Sequence, residues 1–160
     1  RRIVTGGEER YDSVYAGLME CVGTDYVFVH DGARPLITGE ILERVFDGVK
    51  EYGACIAGMP SKDTIKISDE GGCVLSTPPR DRVWNVQTPQ AFSYSVLKNA
   101  HDSIREKGMK GITDDAMIVE QETECWVKLV QGSYENLKIT TPEDLKIAEA
   151  ILSERDLQKI

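Results

Sequence analysis

Hydrophobic and polar positions alternate along the chain in blocks that predict strands and helices in turn. Tyr26-Val27-Phe28-Val29-His30 is a short, nearly continuous apolar run, the signature of a strand buried on both faces. Cys55-Ile56-Ala57-Gly58-Met59 reads the same way. Between them Ile41, Leu42, Val45, Phe46 and Val49 recur at helical spacing, with Thr38 as the cap and Gly53 as the stop. Ser13 to Met19 suggests an earlier helix, and the first residues look like the middle of a strand. Late in the chain, Trp126 to Val130 and Leu137 to Ile139 read as two more strands. Thr141-Pro142-Glu143-Asp144 then opens a final helix, with Thr141 as cap, Pro142 at the first helical position and Leu145, Ala148, Ile151 and Leu152 as its buried stripe. This alternation predicts an α/β fold with right-handed crossovers and a mostly parallel sheet. No repeat or low-complexity tract interrupts it, so residues 1–160 read as one domain.

The region 63–82 departs from that rhythm. Thr64-Ile65-Lys66-Ile67 and Cys73-Val74-Leu75-Ser76 flank Asp69-Glu70-Gly71-Gly72, a hairpin signature, and Thr77-Pro78-Pro79 cannot continue a central strand. Such an arm is either a dimerisation device or an ordinary surface excursion.

Composition narrows the function classes. Of 160 residues 41% are hydrophobic and 29% charged, a globular balance. Nineteen Lys and Arg against 27 Asp and Glu give a net charge of −8, which argues against nucleic-acid or anionic-membrane partners. No apolar run reaches the roughly 18–20 residues that a membrane span needs, and no signal-peptide h-region follows Arg1. Cys21, Cys55, Cys73 and Cys125 are scattered, without the C-x-x-C spacing of a zinc site, and read as reduced thiols of a cytoplasmic protein. The chain opens without methionine and reads as a fragment.

Candidate chemistry gathers after the first buried strand, in His30-Asp31-Gly32-Ala33-Arg34-Pro35. In open α/β sheets ligands collect beyond the carboxyl ends of strands. Asp31 there suits Mg²⁺, which takes one or two carboxylates and completes its octahedron with phosphates and waters. Arg34 offers a planar fork to a phosphate; the plain alternative is that the two residues bridge to each other. His30, lacking a second histidine nearby, reads as a packed, hydrogen-bonded core residue. Thr113-Asp114-Asp115 reads as a helix start, Thr113 capping and the acids favouring the dipole. Neither a Rossmann fingerprint, a P-loop nor a Ser-His-Asp or Cys-His pattern is present.

In order along the chain stand Gly6-Gly7-Glu8-Glu9-Arg10 with Ser13-Val14 and Gly17-Leu18, then Val29 to Pro35, Asp63-Thr64-Ile65-Lys66 and Arg80 with Trp84. Gln87-Thr88-Pro89-Gln90-Ala91-Phe92, Thr113-Asp114-Asp115-Ala116 with Glu120, and Asn136 to Leu145 follow. This series resembles the 2-C-methyl-D-erythritol 4-phosphate cytidylyltransferases of non-mevalonate isoprenoid synthesis.

The resemblance implies a three-layer nucleotidyltransferase (Rossmann-like) fold and a homodimer joined through the hairpin arm. It implies transfer of a cytidylyl group from CTP to a sugar-alcohol phosphate with Mg²⁺ and loss of pyrophosphate. Gly7, Glu8, Ser13, Asp31 and Gly32 would then meet the nucleotide, and Asp31 would hold the metal. Arg80 and Lys138 would be the catalytic pair that positions the sugar-phosphate nucleophile. Arg34, Thr64 and Thr113 would complete the second pocket, with Thr64 and Arg80 donated across the dimer. Gly32 stands where the family often has Ala. The family also opens with a strand and a glycine-rich loop carrying an Arg and a Lys, so a polypeptide limited to these residues is expected to turn over feebly. The rival readings are a ribitol 5-phosphate cytidylyltransferase and a non-catalytic nucleotide- or sugar-phosphate-binding module; Thr113 to Ala116 with Glu120 favours the first enzyme over ribitol phosphate transfer.

Overall fold

The computed structural model describes residues 2–157. Residues 2–6 form no strand, and Ile3 is fully exposed, so the expected opening strand is absent there; Arg1 lies outside the described residues. Helix α1 covers Arg10–Met19, strand β1 Tyr26–Val29, helix α2 Gly39–Tyr52 and strand β2 Ala54–Pro60. A two-stranded hairpin follows, β3 Ile67–Ser68 with β4 Val74–Ser76, then a short 3-10 turn at Arg80–Arg82. Strand β5 spans Trp84–Ser93, α3 Tyr94–Lys107, α4 Asp115–Glu122, β6 Lys128–Gln131 and α5 Pro142–Leu157.

The main sheet has the order β1-β5-β2-β6. β2 and β6 pair in parallel, whereas β5 runs antiparallel to both β1 and β2. Three strands therefore share one direction, as expected, but β5 lies between two of them and makes the sheet mixed. Periodicity missed β5 because Pro89 stands inside it, and proline ordinarily argues against a central strand. Pro89 is accommodated where the ladder breaks: pairing with β1 ends at Val29–Gln90, and the register with β2 shifts between Ile56–Gln90 and Gly58–Val86.

The layers follow from alternation along β2, which is buried almost throughout. Cys55 and Ala57 pack with Ile41, Val45 and Val49 of α2 on one face. Ala54 and Ile56 join Phe92, Leu97, Ile104, Ile118 and Val119 on the other, beneath α1, α3 and α4. This is the three-layer arrangement. Of the expected α2 stripe, Leu42 and Phe46 are exposed instead, because the buried line runs through Ile41, Val45, Gly48 and Val49. Thr38 holds the expected N-cap position of α2 but its side chain makes no capping hydrogen bond, whereas Gly53 ends the helix as expected, in the left-handed conformation at φ 79°.

Two further expectations change. Leu137 to Ile139 is extended but forms no strand; the Ile139 N–H donates to the Ala33 carbonyl at 2.8 Å and ties it to the loop after β1. In α5 the expected apolar stripe reduces to Ala148, while Leu145 and Leu152 are about half exposed (52% and 48%). The cap is as read: the Asp144 N–H donates to Thr141 Oγ1, and the Thr141 N–H to Asp144 Oδ2. The arm is present but shorter-stranded than its pattern, with Ile67, Val74 and Leu75 exposed.

Gly48 shows how closely α2 rides on the sheet: a Cβ there would stand 2.3 Å from Cys55 Sγ. Despite the better helix propensity of alanine, Gly48→Ala is expected to destabilise the fold by about 1–3 kcal/mol in urea denaturation. Adding Cys55→Ala should recover part of that loss, because the two sites share one contact.

Candidate functional site

The functional geometry begins at the break in β5. Where the ladder is interrupted, Thr88 is freed from regular pairing, and its Oγ1 accepts the backbone N–H of Asp31 at 3.0 Å. Thr88 Oγ1 also lies 3.0 Å from His30 Nδ1, and His30 Nε2 donates to the Arg34 carbonyl at 3.0 Å. His30 is thus hydrogen-bonded as expected but exposed rather than packed in the core, since it stands just past the end of β1 and clasps the loop that follows. The buried histidine is His101.

A second strap comes from Asn136, which is wholly buried. Its Nδ2 donates to the Thr88 carbonyl at 2.8 Å and to Gln87 Oε1 at 3.2 Å, and its own carbonyl accepts Arg34 Nη1 at 2.7 Å. Two residues on, Lys138 is carried over the same loop.

These straps enclose an open cleft of about 350 Å³ lined by Arg10, Asp31, Arg34, Gln87, Thr88 and Lys138, with Gln90, Thr113 and Asp114 also on its walls. Asp31 is its centre of charge. Lys138 Nζ lies 3.2 Å away, Arg34 Nε 3.6 Å and Arg10 Nε 3.9 Å. Burial holds the Arg34 guanidinium below its usual range, with Asp31 opposing that shift. Arg34 Nε has no hydrogen-bond partner among the described residues, leaving a donor directed toward this charged cluster. Asp114 is already engaged, by Gln90 Nε2 at 2.8 Å and the Met117 N–H at 2.9 Å. Arg10, Arg34 and Lys138 thus concentrate three cations on walls shared with Asp31 and Asp114, in a chain of net charge −8.

Among the described residues no group of three or more His, Cys, Asp or Glu could cage a metal ion. A single open carboxylate beside phosphate-seeking cations does fit Mg²⁺, which is ordinarily held by one or two carboxylates plus substrate phosphates.

Of the sequence-derived candidates, Asp31, Arg34, Thr113 and Lys138 come together in the cleft. Gly32 flanks Asp31 in open space, where an added Cβ would meet nothing within 4 Å, so the family's usual alanine would fit. Gly7 and Ser13 form a separate knot at the start of α1: the Gly7 N–H donates to Ser13 Oγ at 3.1 Å, and a Cβ on Gly7 would stand 2.3 Å from Asp12 Cβ. Glu8 beside them is exposed. Thr64 and Arg80 do not line this cleft; they are exposed in the stem of the arm, where Arg80 Nη1 donates to the Lys62 carbonyl at 3.3 Å. Thr113 is not the cap of α4. Asp114 is, its carboxylate accepting the Met117 N–H at 2.9 Å, while Asp115 turns inward and is completely buried.

A family model described as IspD, 2-C-methyl-D-erythritol 4-phosphate cytidylyltransferase, matches residues 1–154. The chain belongs to this family. A relative named as that cytidylyltransferase in Lachnoclostridium phytofermentans is 54% identical over 152 residues, covering 95% of this chain and 65% of its own length. One from Alkaliphilus oremlandii is 53% identical, with 96% of this chain and 64% of the relative covered. The chain therefore spans somewhat less than two thirds of these cytidylyltransferases. Among solved structures, the 4-diphosphocytidyl-2C-methyl-D-erythritol synthase of Anaerococcus prevotii superposes with a TM-score of 0.89 at 36% identity, covering 95% of this chain and 70% of that one.

Thr88, Gln90 and Asn136 stand in motifs that the sequence offers, but no role was assigned to them there: what marks them is their burial (5%, 1% and 0% exposed), which a sequence does not display. Arg10 sat in a recognised motif, but nothing local showed that it would face Asp31.

Asn136→Asp tests the strap. It replaces the donating Nδ2 with an oxygen facing two acceptors, and should cost about 2–5 kcal/mol in denaturant titration; Asn136→Ser, which keeps a donor, should cost less.

Proposed function

We propose that this chain carries the cleft in which a cytidylyl group passes from CTP to 2-C-methyl-D-erythritol 4-phosphate, releasing pyrophosphate. The observation that supports it most is that Arg34, from the loop that carries Asp31, and Lys138, from a distant stretch, meet at the one open carboxylate of Asp31 in a family member. Both reactants are phosphorylated, and a cleft walled by guanidinium and ammonium groups suits two polyanions.

The chemistry asks little covalent work of the protein. A phosphate oxygen of the acceptor attacks the α-phosphorus of CTP in line, the bond to the β-phosphate oxygen breaks, and pyrophosphate leaves with the electron pair. The attacking phosphate is already ionised near neutral pH, so no side chain need take a proton. Lys138 and Arg34 align the two phosphate groups and offset the charge that builds on the equatorial oxygens. Asp31 is the residue to hold Mg²⁺, which when bound neutralises phosphate oxygens and makes the α-phosphorus more electrophilic. Gly7, Glu8, Ser13 and Gly32 are assigned to the nucleotide and Thr113 to the acceptor.

Thr64 and Arg80 reach a cleft in this reading only through a second copy. The exposed Ile67, Val74 and Leu75 of the arm supply apolar surface for such a homodimer. The thiols also suit a reducing cytoplasm: Cys21, Cys55, Cys73 and Cys125 are all unpaired, and burial pushes the Cys55 thiol up to about 11.

The test is calorimetric titration with CTP and Mg²⁺, with methylerythritol phosphate and with ribitol 5-phosphate, together with pyrophosphate release from the combined reactants. CTP and methylerythritol phosphate should bind, and Lys138→Gln should lower kcat/KM by about 100-fold. Binding of neither ligand, or a preference for ribitol 5-phosphate, would overturn the assignment. Asp31→Asn should abolish the Mg²⁺ dependence of CTP affinity; a dependence unchanged in that variant would remove Asp31 from the metal site.

A further inference from the structure

Arg10 opens α1 with its guanidinium between two carboxylates. Nη1 lies 2.8 Å from Asp115 Oδ2, and Nε lies 3.9 Å from Asp31 Oδ1. The Asp115 side chain has no exposed surface, and its other oxygen stands 3.2 Å from Nε2 of His101, which is buried as completely. The backbone N–H groups of Asp115 and Ala116 both donate to Gln90 Oε1, at 3.1 and 3.2 Å, fixing the residue that carries the carboxylate. The Tyr15 ring covers His101 at a centroid distance of 6.0 Å.

This arrangement exceeds what the start of a helix requires. Asp114 already caps α4, and an acid serving the helix dipole does so from solvent. A carboxylate withdrawn wholly from water is costly unless it is paired, and Asp115 Oδ2, which has no hydrogen-bond partner among the described residues, has the Arg10 guanidinium as its ion-pair partner. What the buried Asp115 does that an exposed one could not is pin Arg10. The Arg10 side chain is about one third exposed (33%) and lines the cleft with Arg34 and Lys138. Held by Asp115, its Nε stays beyond hydrogen-bond distance of Asp31, so the guanidinium remains in the cleft without closing over that carboxylate. A pinned guanidinium also loses less freedom on meeting an anion than a mobile one.

We propose that Arg10 is a third phosphate-binding cation of the cleft, and that Asp115, backed by His101, is the positioning residue that holds it there. This rests on the cytidylyl-transfer reading for the identity of the anion, a phosphate group of one of the two reactants.

Calorimetric titration with inorganic pyrophosphate, with CTP and Mg²⁺ and with methylerythritol phosphate tests it, folding of each variant being checked by circular dichroism. Arg10→Gln should weaken pyrophosphate binding by about tenfold or more. Arg10→Lys should restore only part, having the charge without the fork. Whichever of CTP and methylerythritol phosphate loses affinity identifies the phosphate that Arg10 meets. Asp115→Asn should weaken binding in the parent chain and leave it unchanged in the Arg10→Gln background, since its effect runs through Arg10. His101→Phe, which keeps ring bulk and removes the bond to Asp115, should follow the same pattern and replaces Asp115→Asn if that variant fails to fold.

The proposal falls if Arg10→Gln binds all three ligands as tightly as the parent while Lys138→Gln does not. It also falls if Asp115→Asn weakens binding equally in both backgrounds, the mark of a merely structural role. Failure of the parent to bind any of the three ligands would instead remove the functional reading of the cleft, and this inference with it.

Discussion

The interrupted ladder in the middle of β5 is the constraint on which the rest depends. A proline in a central strand removes a donor, and the sheet tolerates Pro89 because β1 stops pairing at Gln90 and β2 changes register across the same point. The backbone and hydroxyl groups left over there do not stay idle. Thr88 Oγ1 takes the N–H of Asp31, and the Thr88 carbonyl takes the amide of Asn136. One local irregularity thus anchors both the loop after β1 and the segment leading to Lys138. A fully regular β5 would satisfy its own groups within the sheet and leave those two loops without a common attachment.

The electrostatics build on that attachment. Asp31, Arg34 and Lys138 belong to segments separated by a hundred residues, yet they meet because Asn136 ties its own backbone to Arg34 and its side chain to Thr88. Asn136 commits both its Nδ2 and its backbone carbonyl to this joint, and each lost bond would leave another group unsatisfied. The surrounding core is ordinary by comparison: small residues of β2 pack against α2 on one face, and larger aliphatic and aromatic ones fill the other. Stability resides mostly in those layers, whereas the polar joint sets the position of the charged groups.

The chain belongs to the cytidylyltransferase family, and its fold gathers into one cleft several residues of the motifs that carry the resemblance. The family model spans nearly the whole chain, and the cleft places together four of the residues that the motifs had singled out. Thr64 and Arg80 stand apart on the arm, which belongs to a separate two-stranded sheet and is exposed along almost all its length.

Much of this protein was legible in its residues taken in order. The apolar runs of β1 and β2, the helical spacing of α2, the Asp69 to Gly72 turn and the Thr141 cap are local patterns, and local stereochemistry is what sequence spacing reports. The motifs around Asp31, Thr113 and Lys138 were recognisable through their resemblance to a known family. Packing alone decided the direction of β5, the exposure of Leu42, Phe46 and His30, the thinning of the α5 stripe to Ala148, and the inward turn of Asp115. Each depends on which neighbour from a distant stretch covers a given face, and residue type and spacing carry no record of that neighbour. The cleft is the clearest case: the chain supplied its charges, and only the broken strand and the buried Asn136 determined that they would face one another.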